Sequence, residues 1–197
     1  MLGSTASAGY KSQKVKVESA GNYPSHVKQG SLTIAANPYQ TWEKLKTVFD
    51  IKELDRKGVI PIHVIITNEG EETIAVNGED IHLLDSKNHS IEGLSTEDVV
   101  RFVSGKTNPG SSRNPPSSPF PLPRTGGRRG DIFEIETDLT NKSLREVRVS
   151  PKSTVGGFVY FQLPDMQRDL RGHKIYIPEI KNVRSGESLL FFEIELK

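Results

Sequence analysis

A chain of 197 residues is long enough for one substantial hydrophobic core, yet 34% apolar and 7% aromatic residues is lean, so part of it is expected to be loop or tail. With 26 Lys and Arg against 25 Asp and Glu, the balanced charge argues against a nucleic-acid binder that works by bulk charge. The absence of cysteine excludes disulfides, thiolate zinc sites and cysteine nucleophiles together.

No window approaches the roughly eighteen apolar residues of a transmembrane segment. Ala6-Ser7-Ala8 has the small-residue form of a signal-peptidase site, which would put a mature start near Gly9, and suits an ordinary flexible terminus equally well. Residues 1–28 are rich in Ser, Gly, Lys and Ala, and only Val15-Lys16-Val17 hints at a strand. They predict a disordered or extended N-terminal tail ahead of a single domain over 29–197.

Gly30 to Ala36 alternates Leu32, Ile34 and Ala36 on one side and predicts a short strand. Asn37-Pro38 then has the form of an N-cap followed by proline at the first helical position, where the missing N–H costs nothing. Trp42, Leu45, Val48 and Phe49 continue as a helical stripe, predicting a helix from Pro38 to Phe49 that Trp42 anchors to a sheet. The stretch GVIPIHVIITNEG, Gly58 to Gly70, is a β-branched run bounded by turn residues and reads as a half- or fully buried strand.

Glu69-Gly70-Glu71-Glu72 predicts a polar hairpin connection, with short strands at Thr73–Val76 and Asp80–Asp85 on either side of Asn77-Gly78. Ser95 with Asp98 three residues on resembles a capping box, and Val99, Phe102 and Val103 complete one face of a short helix. From Thr107 to Gly130 the chain holds six of its 12 prolines and four of its 17 glycines, which predicts a long loop. After Asp131, read as an N-cap, Ile132, Ile135 and Leu139 recur at helical intervals, although Ile132, Glu134 and Glu136 also suit a strand.

The last third predicts four strands, Leu144–Val149, Thr154–Leu163, Lys174–Ile180 and Glu187–Leu196, broken at Ser150-Pro151, Pro164-Asp165 and Ser185-Gly186. In the last of them Leu190, Phe192, Ile194 and Leu196 face inward while Glu193 and Glu195 face water, the signature of an antiparallel sheet with one wet face. The predicted fold is therefore mainly β: an immunoglobulin-like antiparallel β-sandwich with two or three short helices in its connections.

GVIPIHVIITNEGEETIAVNGEDIHLLD, SPKSTVGGFVYFQLPD and LLFFEIEL together resemble uncharacterised bacterial secreted or envelope proteins with an immunoglobulin-like β-sandwich domain, over roughly residues 30–197. Asn68 suits the left-handed conformation of a strand-ending turn, and Gly156-Gly157 permits a bulge or a close backbone approach before Phe158. The resemblance implies an extracytoplasmic module, secreted or periplasmic. With no cysteine to acylate, it implies release or peripheral association rather than a lipid anchor. It brings no catalytic residues with it.

The residues themselves supply no catalytic constellation either. His26, His63, His82, His89 and His173 form no metal-ligand spacing, although His63 and His82 would make a metal or acid/base site with Asp80 and Asp85 if their strands were adjacent. Glu69, Glu71 and Glu72 in a turn, and Glu134, Glu136 and Asp138 in alternation, read as solvated faces. No G-x-S-x-G elbow, Walker loop or dinucleotide fingerprint occurs, so no enzyme, cofactor or metal is expected.

The 107–130 loop carries the chemistry that stands out. No acidic residue lies between Asp98 and Asp131, while Arg101, Lys106, Arg113, Arg124, Arg128 and Arg129 are all basic. Arg113, Arg124, Arg128 and Arg129, with Phe120 and Leu122 among the prolines, form a candidate docking arm for an acidic polysaccharide, lipid headgroups or an acidic protein. The function expected is a non-enzymatic interaction or structural module of the bacterial cell envelope, whose partner is an anionic envelope component or another envelope protein. The alternative is an accessory domain that holds a small molecule or glycan near Trp42.

Overall fold

The computed structural model describes residue 10 and residues 12–104, 128–163, 168–189 and 191–197, with the backbone only at 128–131. Among these residues twelve strands form three four-stranded antiparallel sheets. The first sheet has the order β1-β2-β3-β8, from β1 (His26–Gln29), β2 (Leu32–Pro38), β3 (Val59–Asn68) and β8 (Ser153–Gln162). The second is β11-β10-β4-β7, from β4 (Ile74–Asn77), β7 (Glu146–Val149), β10 (Ile180–Asn182) and β11 (Ser188–Leu189). The third is β12-β9-β5-β6, from β5 (His82–Leu84), β6 (Ser90–Ile91), β9 (Lys174–Ile177) and β12 (Phe192–Glu195). Four helices accompany them: α1 (Trp42–Leu45), α2 (Lys52–Arg56), α3 (Thr96–Ser104) and α4 (Arg128–Lys142). None is long and apolar enough to cross a membrane.

All ten residues of β3 are buried, because both of its faces are covered. Ile60, Ile62, Val64 and Ile66 face the main core, where they meet Ile74 and Val76 of β4, Leu83 of β5, Ile175 and Ile177 of β9, and Phe192 and Ile194 of β12. Burying side chains of this kind stabilises by about 1.5–3 kcal/mol each. On the opposite face, Val59 joins Phe158 and Tyr160 of β8 under Leu45, Phe49, Leu54, Val99 and Leu139 from the helical segments, and Ile65 packs with Ala35 under Ala20. A strand covered on both sides has no need of polar alternation, and GVIPIHVIIT has almost none.

The lead was expected to be disordered or extended over residues 1–28. Over residues 12–19 it is extended and mostly exposed, and it is anchored by a short 3-10 turn at Ala20–Asn22 whose Ala20 is fully buried and donates its N–H to Thr67 Oγ1 at 2.8 Å. Its last part, from His26, is already β1, paired to β2.

Three expected elements are rearranged. Pro38 does not open a helix; it closes β2 opposite Ile62, beyond the end of β1, where its missing N–H leaves no strand neighbour unsatisfied. The helix starts four residues later, with Thr41 as the cap. Glu69–Glu72 is a crossover and not a hairpin, since β3 pairs with β2 and β8 while β4 pairs with β7 and β10. Asn68 is likewise not in the left-handed region, which among non-glycine residues only Asn88 and Lys152 adopt in the described chain. It is buried, donates its amide to the carbonyls of Glu72 (2.8 Å) and Val149 (3.1 Å), and accepts from Gly70 N–H, fastening the crossover.

The predicted strands 174–180 and 187–196 each divide in two. Pro178 cannot donate to a ladder, and the ribbon turns there: β9 pairs with β12 in the third sheet, β10 with β11 in the second. The same ribbon thereby runs through both sheets. Phe192, Ile194 and Leu196 do face inward as expected, and Glu193 and Glu195 outward; Leu190 lies outside the described residues.

The expected cap forms with one bond of the box: Asp98 N–H donates to Ser95 Oγ at 3.1 Å, while the Asp98 carboxylate accepts from Ser95 Oγ at 2.9 Å and not from the Ser95 backbone. The helix read after Asp131 also forms, with Leu139 buried, but it begins at Arg128, so the last three residues assigned to the loop are helical and Asp131 is inside the helix. Gly157 makes the close approach foreseen for it; a Cβ there would lie 2.8 Å from Leu144 Cα.

Candidate functional site

Arg113, Phe120, Leu122 and Arg124, the centre of the expected docking arm, lie outside the described residues. Arg128 and Arg129 occupy the first turn of α4. α3 and α4 pack on one another, so the segment 105–127 leaves and rejoins this helical pair. Arg101 pairs with Asp98 on α3 at 2.8 Å.

The His63 and His82 pairing does not occur. His63 is in β3, between β2 and β8, whereas His82 is in β5 of the third sheet, beside β6 and β9. No group of three or more His, Cys, Asp or Glu among the described residues is arranged to hold a metal. His63 instead stacks on Phe158, with ring centroids 4.7 Å apart, and meets the edge of Tyr23 in the lead at 6.5 Å. Gly156 makes room for it, since a Cβ there would lie 2.6 Å from His63 Nε2.

Burial lowers the His63 pKa to about 4. The unfolded chain, with a histidine near 6.5, therefore binds more protons than the folded one between these values, so this contribution is complete above pH 6.5 and is lost as pH falls toward 4. The expected result is a fall of about 3 kcal/mol in unfolding free energy across that window. Denaturant melts of the native chain and of His63→Phe, compared between pH 7 and pH 4, check it; equal slopes for the two would refute it.

Carboxylates divide into two kinds. Glu69, Glu71 and Glu72 are surface charges, as expected, with partners at Lys28, Lys152 and Arg184. Glu134 and Glu136 are exposed, but Asp138, read with them as solvated, is buried and accepts from Tyr10 Oη (2.5 Å), Ser12 Oγ and Lys142 Nζ (2.6 Å). The Lys142 ammonium also donates to Val48 O at 2.9 Å and lies 4.8 Å from the centroid of Phe49. Burial, then the bond to Asp138, pushes the Tyr10 phenol well above its ordinary pKa, and burial pulls the Lys142 ammonium down. This cluster fastens the lead to α4. The i, i+4 spacing of Asp138 and Lys142 was its only trace in the sequence.

Two of the accessible concavities bear on these segments. One, of about 520 Å³, lies along the outer edge of β8, where Leu94 N–H donates to Tyr160 O (2.7 Å) and Leu144 N–H to Phe158 O (2.8 Å). Those bonds cover an edge strand that would otherwise invite another chain to pair. The other, of about 500 Å³, is a shallow depression beside Trp42, lined also by Gln40, Arg168, Asp169, Arg171 and Lys197. Trp42 is half-buried against the helix-covered cluster, so the expected anchoring holds for part of the ring and the rest faces the depression. Arg171 Nε donates to both carboxylate oxygens of Asp169, at 3.0 and 2.9 Å, and holds that carboxyl down at a pKa of about 2. Arg168 reaches back to Asp55, donating to its carboxylate and, at 2.6 Å, to its carbonyl. Nothing in the sequence joined residues 40–42 to 168–197.

Fold and sites together define a mainly β protein of three antiparallel sheets whose accessible chemistry lies in its connections. No family model matches the chain, and no curated protein does. Among solved structures it is similar to the yjhA protein from Bacillus subtilis, at 14% identity and a TM-score of 0.38, over 78% of this chain and 77% of that one.

Proposed function

We propose that this chain is a non-enzymatic extracytoplasmic module of the bacterial cell envelope, built as an immunoglobulin-like sandwich, that holds an anionic envelope component through the segment joining α3 to α4. The observation that carries this reading is the position of Arg128 and Arg129 in the first turn of α4. The positive end of a helix dipole disfavours cations there, by about 0.3–1 kcal/mol each at an exposed site. A helix built for its own stability places acids in that turn. Here two arginines close a stretch, residues 99–130, that contains six basic residues and no acidic one. A run of positive charge uninterrupted by acids is suited to attract an anionic partner.

The second reading, an accessory domain for a small molecule or glycan, is favoured by the aromatic depression beside Trp42.

Retention on anionic-lipid vesicles and on immobilised polyuronate, measured at low and high salt, tests the first reading. Replacing Arg113, Arg124, Arg128 and Arg129 together by Gln is expected to weaken low-salt retention on at least one of the two by about tenfold or more. Unchanged retention on both, or recovery of the native protein in the cytoplasmic fraction, would refute it.

A further inference from the structure

We propose that the depression beside Trp42 is a binding site for an acidic saccharide, a refinement that rests on the second reading above, the accessory domain for a small molecule or glycan. Three features of the depression match three features of such a ligand. The partly exposed indole at the wall offers apolar surface to the C–H face of a pyranose ring. The Arg171 and Asp169 pair, fixed by its two-oxygen contact, sets donor and acceptor edges side by side, the arrangement that vicinal hydroxyls satisfy with paired hydrogen bonds.

The charge of the site selects among saccharides. Arg168, Arg171 and Lys197 line it against the single carboxylate of Asp169. Arg168 and Arg171 are each balanced by an aspartate, Asp55 and Asp169, whereas Lys197 has no ion-pair partner among the described residues. Lys52, also without an ion pair there, stands 5.9 Å from the Trp42 ring centroid. The balanced arginines are therefore suited to hydroxyls, and Lys197, which lines the same depression as Trp42, is suited to a uronic carboxylate. A volume of about 500 Å³ is within the range of small-ligand sites, and its shallow, open form suits a segment of a longer polymer.

Trp42 is the only tryptophan of the chain, so its emission reports on this site alone. The full chain would be titrated with an oligogalacturonate trimer and with maltotriose as the neutral counterpart, following emission and heat together. The expected result is a saturable emission change with the acidic trimer, about tenfold or more weaker for Lys197→Gln, for Arg171→Gln and for the neutral sugar. Both substitutions are at exposed positions, and a melt of each variant confirms that it is folded. The variant with Arg113, Arg124, Arg128 and Arg129 all changed to Gln is expected to bind the trimer as the native chain does. Heat without an emission change, or affinity lost in that variant and kept in Lys197→Gln, would overturn the Trp42 site while leaving the module reading intact. Equal affinity for maltotriose would overturn the acidic class, and absence of heat and emission change alike would overturn the inference outright. The vesicle arm of the retention assay, which contains no saccharide, judges the module reading separately.

Discussion

Replacing Asp138 by alanine is expected to lower the unfolding free energy by about 3–5 kcal/mol, the cost of leaving a buried charge without its partner. Asp138 and Lys142 have side-chain exposures of only 6% and 11%, and the carboxylate also accepts hydrogen bonds from the hydroxyls of Tyr10 and Ser12. Without it the Lys142 ammonium keeps one carbonyl, Val48 O, and an aromatic face, which together do not replace an ion pair. The loss has a local signature. Among the described residues the side-chain hydrogen bonds that tie the lead to α4 go to Asp138, so amides near Ser12 are expected to exchange faster, while Ala20 N–H, held by Thr67, keeps its protection longer. Removing both charges, in Asp138→Ala with Lys142→Met, is expected to restore about 2 kcal/mol or more, since a neutral pair carries no desolvation penalty. Chemical denaturation of the three variants checks this; a double variant no more stable than Asp138→Ala would show that the pair is not the source.

Gly78→Ala is the second large effect, at about 3 kcal/mol or more. A Cβ at Gly78 would lie 1.9 Å from Leu144 O and 2.7 Å from Leu144 C, and these are backbone atoms that no rotamer change can move. Leu144 is itself pinned. Its N–H donates to Phe158 O, its side chain is in the main core, and Gly157 presses on it from β8. Relief at Gly78 therefore requires breaking the contact that covers the edge of β8 or pulling Leu144 from the core. Gly21→Ala serves as the control, because nothing lies within 4 Å of a Cβ there. It is expected to change stability by less than about 0.5 kcal/mol. A Gly78→Ala melt matching that of Gly21→Ala would show that the backbone gives way freely.

Much of the local structure was legible in the residue pattern. The Gly58–Gly70 run, the Ser95 and Asp98 cap, the Ile135 and Leu139 face of α4 and the alternation of Phe192, Ile194 and Leu196 all appear where they were read. Each is a signal carried by neighbours two to four residues apart. Pro38 misled because proline is equally at home at the first turn of a helix and at the end of a strand; the choice fell to Ile62, its partner in β3.

The candidate sites were much less legible. Asp138 reads as one more acid in a charged alternation, and its burial depends on Tyr10 and Ser12, more than 120 residues earlier. The Trp42 depression joins residues 40–42 to residues 168–197, and His63 and His82, close in the sequence, are sent to different sheets.

From its residues alone this chain declares that it is mainly β, where its longest strands and several of its apolar faces are, and that one long stretch carries basic residues with no acid among them. Those properties follow from backbone preference and from side chains close together along the chain. Which sheet each strand joins, why β3 is covered on both faces, and which charges are sealed inside were settled only when distant segments came together. Pairing and burial are interactions across space, and a one-dimensional pattern has no term for them.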